Sequence, residues 1–344
     1  MNMSLNIYRD QLRASLLTFL WGQWSALGVA GHTKTTGPWS IDPEALLLLT
    51  CTVARHDARL FDEVLDWLRL NGSFIHVQRL RRMQQTEGFA GLPVLAGIAR
   101  LTGRGAEALK WKGLASIEPP THPESLFFRP DYRPMPVIVA PDPVFARAGF
   151  LRDPVVRREQ TQAFRYDKPA ALMLQLRALL GVNARADIIH YLLTHEAAHP
   201  SEIARQTCYF TKTIQDALVD MHRSGVVNVR TTGREKHYWL QPEPWARLLQ
   251  REHPEAMPAW KPWSAIFIAL ERTWLKLLDP ALDTLDPRVV AVEFQTLLTE
   301  IRPTLDRAHL PFPPLRPGEN VLPALLKTLV NLLHPTPATT PITQ

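Results

Sequence analysis

Proline placement constrains this chain more than any other feature. Thirty prolines are spread unevenly over 344 residues, and nine of them lie at 119, 120, 123, 130, 134, 136, 141, 143 and 154. Proline lacks an amide hydrogen and clashes with the preceding helical turn, so neither a regular helix nor an inner strand can cross such a stretch. Residues 114–168 are therefore expected to form an extended connector lying along the rest of the molecule. Its one β-like run is Val137–Ala140. A chain of this length implies two or three modules.

Residues 1–113 read as a helical domain. In "DPEALLLLTCTVARHDARLFDEVLDWLRLNG" one helix begins near Pro43 with Asp42 as its cap, and a second ends at Leu70 before Asn71-Gly72. "FIHVQRLRRM" and "LPVLAGIARL" add two short helices. Residues 252–333 carry three more apolar-periodic helices between Pro-rich loops and are expected to form a separate, dimerising region. The tail 334–344, "HPTPATTPITQ", is expected to be disordered. Apolar positions Leu12, Leu16, Leu20 and Trp24 recur every four residues, as in a core helix. Gly22, Gln23, Ser25 and Asp10 argue against a signal peptide there. Ile266–Leu278 is too short to span a bilayer and carries Glu271, Arg272 and Lys276. Two cysteines, Cys51 and Cys208, give no disulfide scaffold. A cytoplasmic protein without membrane contact is expected.

Charge is unevenly placed. Residues 71–113 hold seven basic residues against two acidic ones, +5, whereas residues 252–344 hold eight against ten, −2. Arg79, Arg81 and Arg82 of the basic stretch are candidate auxiliary nucleic-acid contacts. A solvated helix face would explain the same charges.

"HEAAH", His195–His199, fits H-E-x-x-H, in which two histidines on one helix bind zinc and the glutamate activates water. Pro200 follows immediately and pushes His199 out of helical geometry. A zinc protease is disfavoured on that ground, and no metal or other cofactor is expected.

Residues 169–251 contain the most ordered pattern. Asn183 can cap a helix with Ile188, Ile189, Leu192 and Leu193 on its apolar face. "PSEIARQT" is a two-turn helix with Pro200 at its first position. "CYF" turns into a longer helix whose inward stripe is Ile214, Ala217, Leu218 and Met221. Ser224-Gly225 stops it, and "VVNVR" and "HYWL" flank "TTGREK" as a hairpin. Over about 184–251 this order is similar to the winged helix-turn-helix domain of ArsR- and MarR-type transcription regulators. The family usually has glycine where Cys208 stands and a small hydroxyl where Phe210 stands. The fold class expected is mainly α: a central winged helix-turn-helix, three helices plus a β-hairpin wing, flanked by helical N- and C-terminal regions.

The resemblance implies a non-enzymatic, sequence-specific regulator of double-stranded DNA, a repressor acting as a homodimer. It directs Thr211, Lys212, Thr213, Gln215 and Asp216 toward the major groove, with Arg223 further along the helix. Gln215 would pair with an adenine edge, Thr213 would meet a thymine methyl or a phosphate, and Lys212 would hold a phosphate. Arg234 and Lys236 of the wing would reach backbone or minor groove. Residues 184–251 carry nine basic against seven acidic residues, only +2, so tight binding needs a dimer or the segment 71–113. "LLTFLWGQWSALGVAG…DPEALLLLT" also resembles regulators encoded beside abortive-infection nucleotidyltransferase toxins. That implies a toxin-antitoxin or phage-defence operon and a partner encoded in it. The alternative is a non-catalytic adaptor using the same domain as a protein-binding platform.

Overall fold

The computed structural model describes residues 5–31, 37–103, 105–251, 257–310, 312 and 319–333. The expected disordered tail, 334–344, lies outside the described residues. The chain is mainly helical, with α1 Leu5–Ala26, α2 Pro43–Val53, α3 Ala58–Asn71, α4 Val77–Glu87, α5 Leu92–Thr102 and α6 Ala108–Ala115 in its first third. Every residue of α2 is buried. A helix apolar on all sides needs neighbours on all sides, and α1, α4, α5 and α13 (Trp263–Leu277) supply them. Asp42 caps α2 as expected, its carboxylate accepting from Glu44 N and Ala45 N at 3.1 Å each.

The C-terminal helices are not a separate module. Helix α13, α14 (Pro287–Arg307) and α15 (Leu322–Leu333) share one hydrophobic core with α1–α6, running from Leu12 and Trp24 through Trp67 to Leu270, Trp274 and Leu329. Buried polar ties reinforce this joint. Arg9 Nε donates to the Leu277 carbonyl at 2.6 Å, Ala90 N donates to Glu271 at 2.9 Å, and Arg307 pairs with Glu87. The division expected at residue 252 fails because the apolar faces of α13–α15 complete the N-terminal core. No helix among the described residues is long and apolar enough to cross a membrane.

Residues 114–168 do run along the other elements, held mostly by α3. Asp62 pairs with Arg152 at 2.6 Å and accepts from Val156 N at 2.9 Å. Asp66 accepts from Arg158 N and Glu159 N, and Asn71 both accepts from Phe164 N and donates to the Gln162 carbonyl. One face of α3 thus satisfies strap amides that proline-broken chain cannot satisfy internally. The β-like run Val137–Ala140 is instead an exposed bend, its Ile138 and Val139 amides bound to Asp153. The strands of this region are two residues each, β1 Glu124–Ser125 parallel to β2 Phe150–Leu151, with the short helix α7 Pro143–Arg147 just before β2.

A second core holds α8 Leu172–Leu180, α9 Ala184–Leu192, α10 Pro200–Thr207, α11 Thr211–Arg223, the antiparallel hairpin β3 Asn228–Thr232 and β4 Glu235–Trp239, and α12 Pro242–Leu248. Gly233 takes φ 63° at the two-residue hairpin turn, a conformation that favours glycine. Ala198, between α9 and α10, exchanges two 2.9 Å backbone hydrogen bonds with Tyr238 and fastens the hairpin to the helices.

Deleting residues 252–344 is expected to abolish cooperative folding of the N-terminal helices, because it uncovers the side of α1 and α2 that α13 buries. Circular dichroism melting checks this. A sharp transition of unchanged midpoint in the truncated protein would show that the two ends fold independently.

Candidate nucleic-acid interface

Helix α11 separates its residues cleanly. Ile214, Ala217, Leu218 and Met221 are buried against α9 and α10, while Thr211, Lys212, Thr213, Gln215 and Asp216 are exposed on the first two turns. Arg223 is exposed at the far end, about 18 Å along the axis from Thr211 at 1.5 Å per residue. It does not join the others. Arg234 and Lys236 are exposed on the hairpin.

The turn before α11 departs from small-residue geometry in two ways. Cys208 adopts φ 59°, the left-handed conformation that glycine would take without strain. Its buried side chain packs near Ser264 Oγ, which offsets part of that cost, and burial pushes its thiol pKa up to about 11. Phe210 is the N-cap residue and makes no side-chain cap. The first amides of α11 are therefore left facing outward with the positive end of the helix dipole. Phe210 itself is 66% exposed, and the Arg82 guanidinium of α4 lies 3.5 Å over its ring. A stacked guanidinium keeps its N–H edge free for an anion. Arg82 thus stands beside the start of α11, although 128 positions separate it from Phe210 in sequence.

Charges on this face are partly spent. Lys212 pairs with Asp216 at 2.6 Å and Arg185 with Asp220 at 3.2 Å, both pairs exposed. Exposed pairs of this kind contribute about 0–1 kcal/mol, so a phosphate can displace them at little cost.

Arg79 is not a surface contact. It is 2% exposed and sits in a buried ionic network. Its guanidinium binds Asp42, donates to Glu44 at 2.5 Å and donates to the Thr207 carbonyl at 2.7 Å. Arg177 of α8 donates to both oxygens of Glu44, to Asp187 of α9 and to the Phe74 carbonyl. Tyr209 O–H donates to Asp187 at 2.6 Å, and His76 N donates to Glu44 at 2.7 Å. Three carboxylates face two guanidiniums, and the N-terminus of α2 with these neutral donors balances the remaining negative charge. Burial alone would raise the Asp42 pKa, but Arg79 beside it outweighs burial and holds it at about 2. The charge of Arg79 and its basic neighbours suggest an exposed side chain, but its helical period does not. Arg79 lies four positions before Met83 and eight before Glu87, on the buried face of α4. Arg81 is exposed.

The two histidines of HEAAH are engaged elsewhere. His195 lies in the turn after α9, where its Nδ1 donates to the Tyr191 carbonyl at 2.8 Å and its ring stacks on Tyr191 at 3.8 Å. His199 is the N-cap of α10, its Nδ1 accepting from Ser201 N. They share no helix. Among the described residues, no three His, Cys, Asp or Glu side chains are grouped to hold a metal. No protein-family model matches the chain, and no curated protein or solved structure matches it.

Arg177→Met is expected to destabilise the protein by about 3–5 kcal/mol, because it leaves three buried carboxylates facing the single guanidinium of Arg79. Urea unfolding measures it, and a loss below about 1 kcal/mol would mean that the network is not closed to water. His190, fully buried beside Ser40, has its pKa lowered to about 4 by burial. The unfolded chain takes up that proton near pH 6.5 and the folded chain only near 4. Stability is therefore full above 6.5 and falls as pH drops toward 4, by about 3 kcal/mol from this residue. His190→Gln is expected to flatten the melting-temperature profile in that window; an unchanged slope would place its cause elsewhere.

Proposed function

We propose that the protein is a sequence-specific regulator that binds double-stranded DNA through residues 184–251, used as a winged helix-turn-helix. The observation that carries this reading is the uncovered N-terminal half of α11. It has polar side chains outward, apolar side chains inward and no side-chain cap over its first amides. That half enters the major groove, with Gln215 and Thr213 at base edges and Lys212 on phosphate. Arg234 and Lys236 hold the flanking backbone from the hairpin. Arg82, stacked on Phe210, adds a phosphate contact from the helical body and supplies some of the positive charge that the module lacks. A homodimer would read a two-fold operator, and the exposed Val289 and Val292 of α14 offer an apolar patch for the second copy. The chain then acts as a repressor of its own operon, in line with the resemblance of its N-terminal segment to toxin-linked regulators.

Fluorescence anisotropy with DNA from upstream of its gene, against shuffled DNA and across salt concentrations, tests this reading. Gln215→Ala is expected to cost about 1–3 kcal/mol on the upstream site and little on shuffled DNA. Arg234→Ala and Arg82→Ala should each weaken both DNAs alike and lower the salt slope by about one unit. Equal, salt-independent losses would mean that α11 is outside the groove. No binding to either DNA would leave the adaptor reading, which the spent charges of Lys212 and Arg185 favour.

A further inference from the structure

A cavity of about 320 Å³ lies where the α9–α10 turn meets the C-terminal helices. His195 of HEAAH forms part of its wall. Trp260 and Ile266, before and within α13, face it, with Leu310 beyond α14 and Leu332 of α15. Its size falls at the small end of ordinary small-molecule sites, which span roughly 300–1,000 Å³.

The polar groups in this cavity are unequally satisfied. Glu202 is engaged, accepting the Tyr191 O–H at 3.0 Å. His195 donates through Nδ1, so its Nε2 is a bare acceptor, and burial keeps the ring's pKa below its ordinary value. Trp260 Nε1 is buried and has no hydrogen-bond partner among the described residues. Arg205 of α10 and Lys261 line the same space, and neither forms an ion pair among the described residues. Two fixed cations against one carboxylate leave a single positive charge.

We infer that this cavity binds a small monocarboxylate with an apolar body. Its head meets Arg205 and Lys261, and its body lies on Trp260, Ile266, Leu310 and Leu332. A ligand there bridges α10 to the C-terminal helices. Helix α10 leads into α11 through a three-residue turn, so occupancy shifts how firmly α11 is held. That regulatory consequence rests on the DNA-binding reading; the binding itself does not.

Calorimetric titration of the full-length protein, without DNA, tests the site with benzoate and hexanoate as probes and benzamide and hexanol as uncharged counterparts. At least one acid is expected to bind saturably at one per chain, with its uncharged counterpart at least tenfold weaker. Arg205→Gln and Lys261→Gln should each weaken that acid about tenfold, the scale of one charge-assisted hydrogen bond, at unchanged melting temperature. Failure of both acids to bind overturns the inference, as do equal binding of charged and uncharged probes or unchanged affinity in both variants. A parallel anisotropy titration separates the two readings. Acid binding by a protein that ignores DNA keeps the site and removes the regulator; DNA binding by a protein that takes neither acid does the reverse.

Discussion

The seat of the second core on the first depends on one buried interaction, the clasp of Arg79 and Arg177 around Asp42, Glu44 and Asp187. These five charges come from the cap and first turn of α2, from α4, from α8 and from α9. Tyr209 and the Thr207 carbonyl add the turn that leads into α11. A network of this kind adds little net stability over an apolar equivalent, but it tolerates few alternative arrangements, because any displaced charge is left unpaired and dry. It therefore fixes where the second core sits on the first.

That fixed placement has a local consequence at α11. The same turn that reaches inward with Tyr209 reaches outward with the next residue, Phe210, on which Arg82 rests. Arg79 and Arg82, three positions apart on α4, take opposite fates. One is sealed in the clasp and the other is carried to the start of α11. In the proposed function this pairing compensates a module with a net charge of only +2 and with Lys212 and Arg185 already facing carboxylates. Long-range attraction to DNA then comes from the assembled surface and not from the module alone.

Much of the fold was legible in local signals. Asp42 before Pro43, Asn183 before α9 and Pro200 at the start of α10 are caps and first-turn residues whose effect does not depend on distant partners. The stripe Ile214, Ala217, Leu218 and Met221 was legible because its period is helical. What was not legible is non-local. Nothing near Arg177 in sequence says that it meets Glu44, 133 positions away. Helices α13–α15 read as a separate region because their apolar faces do not reveal which other faces complete them. Arg79 was misread through its basic neighbours. Phe210 is out of place in its local sequence, and only its partner on α4, Arg82, gives it a role.

The measurement that bears most directly on the proposed function is photocrosslinking of the wild-type protein to upstream duplex DNA carrying iodouracil at successive thymines, followed by peptide mapping. The expected result is two clusters of crosslinks, one on the peptide spanning Phe210–Asp216 and one on the hairpin between Arg230 and Lys236. Both should fade when unlabelled upstream duplex is added as competitor and persist when shuffled duplex is added instead. Crosslinks confined to other surfaces, or spread alike over upstream and shuffled DNA, would contradict the account and leave α11 as a structural helix.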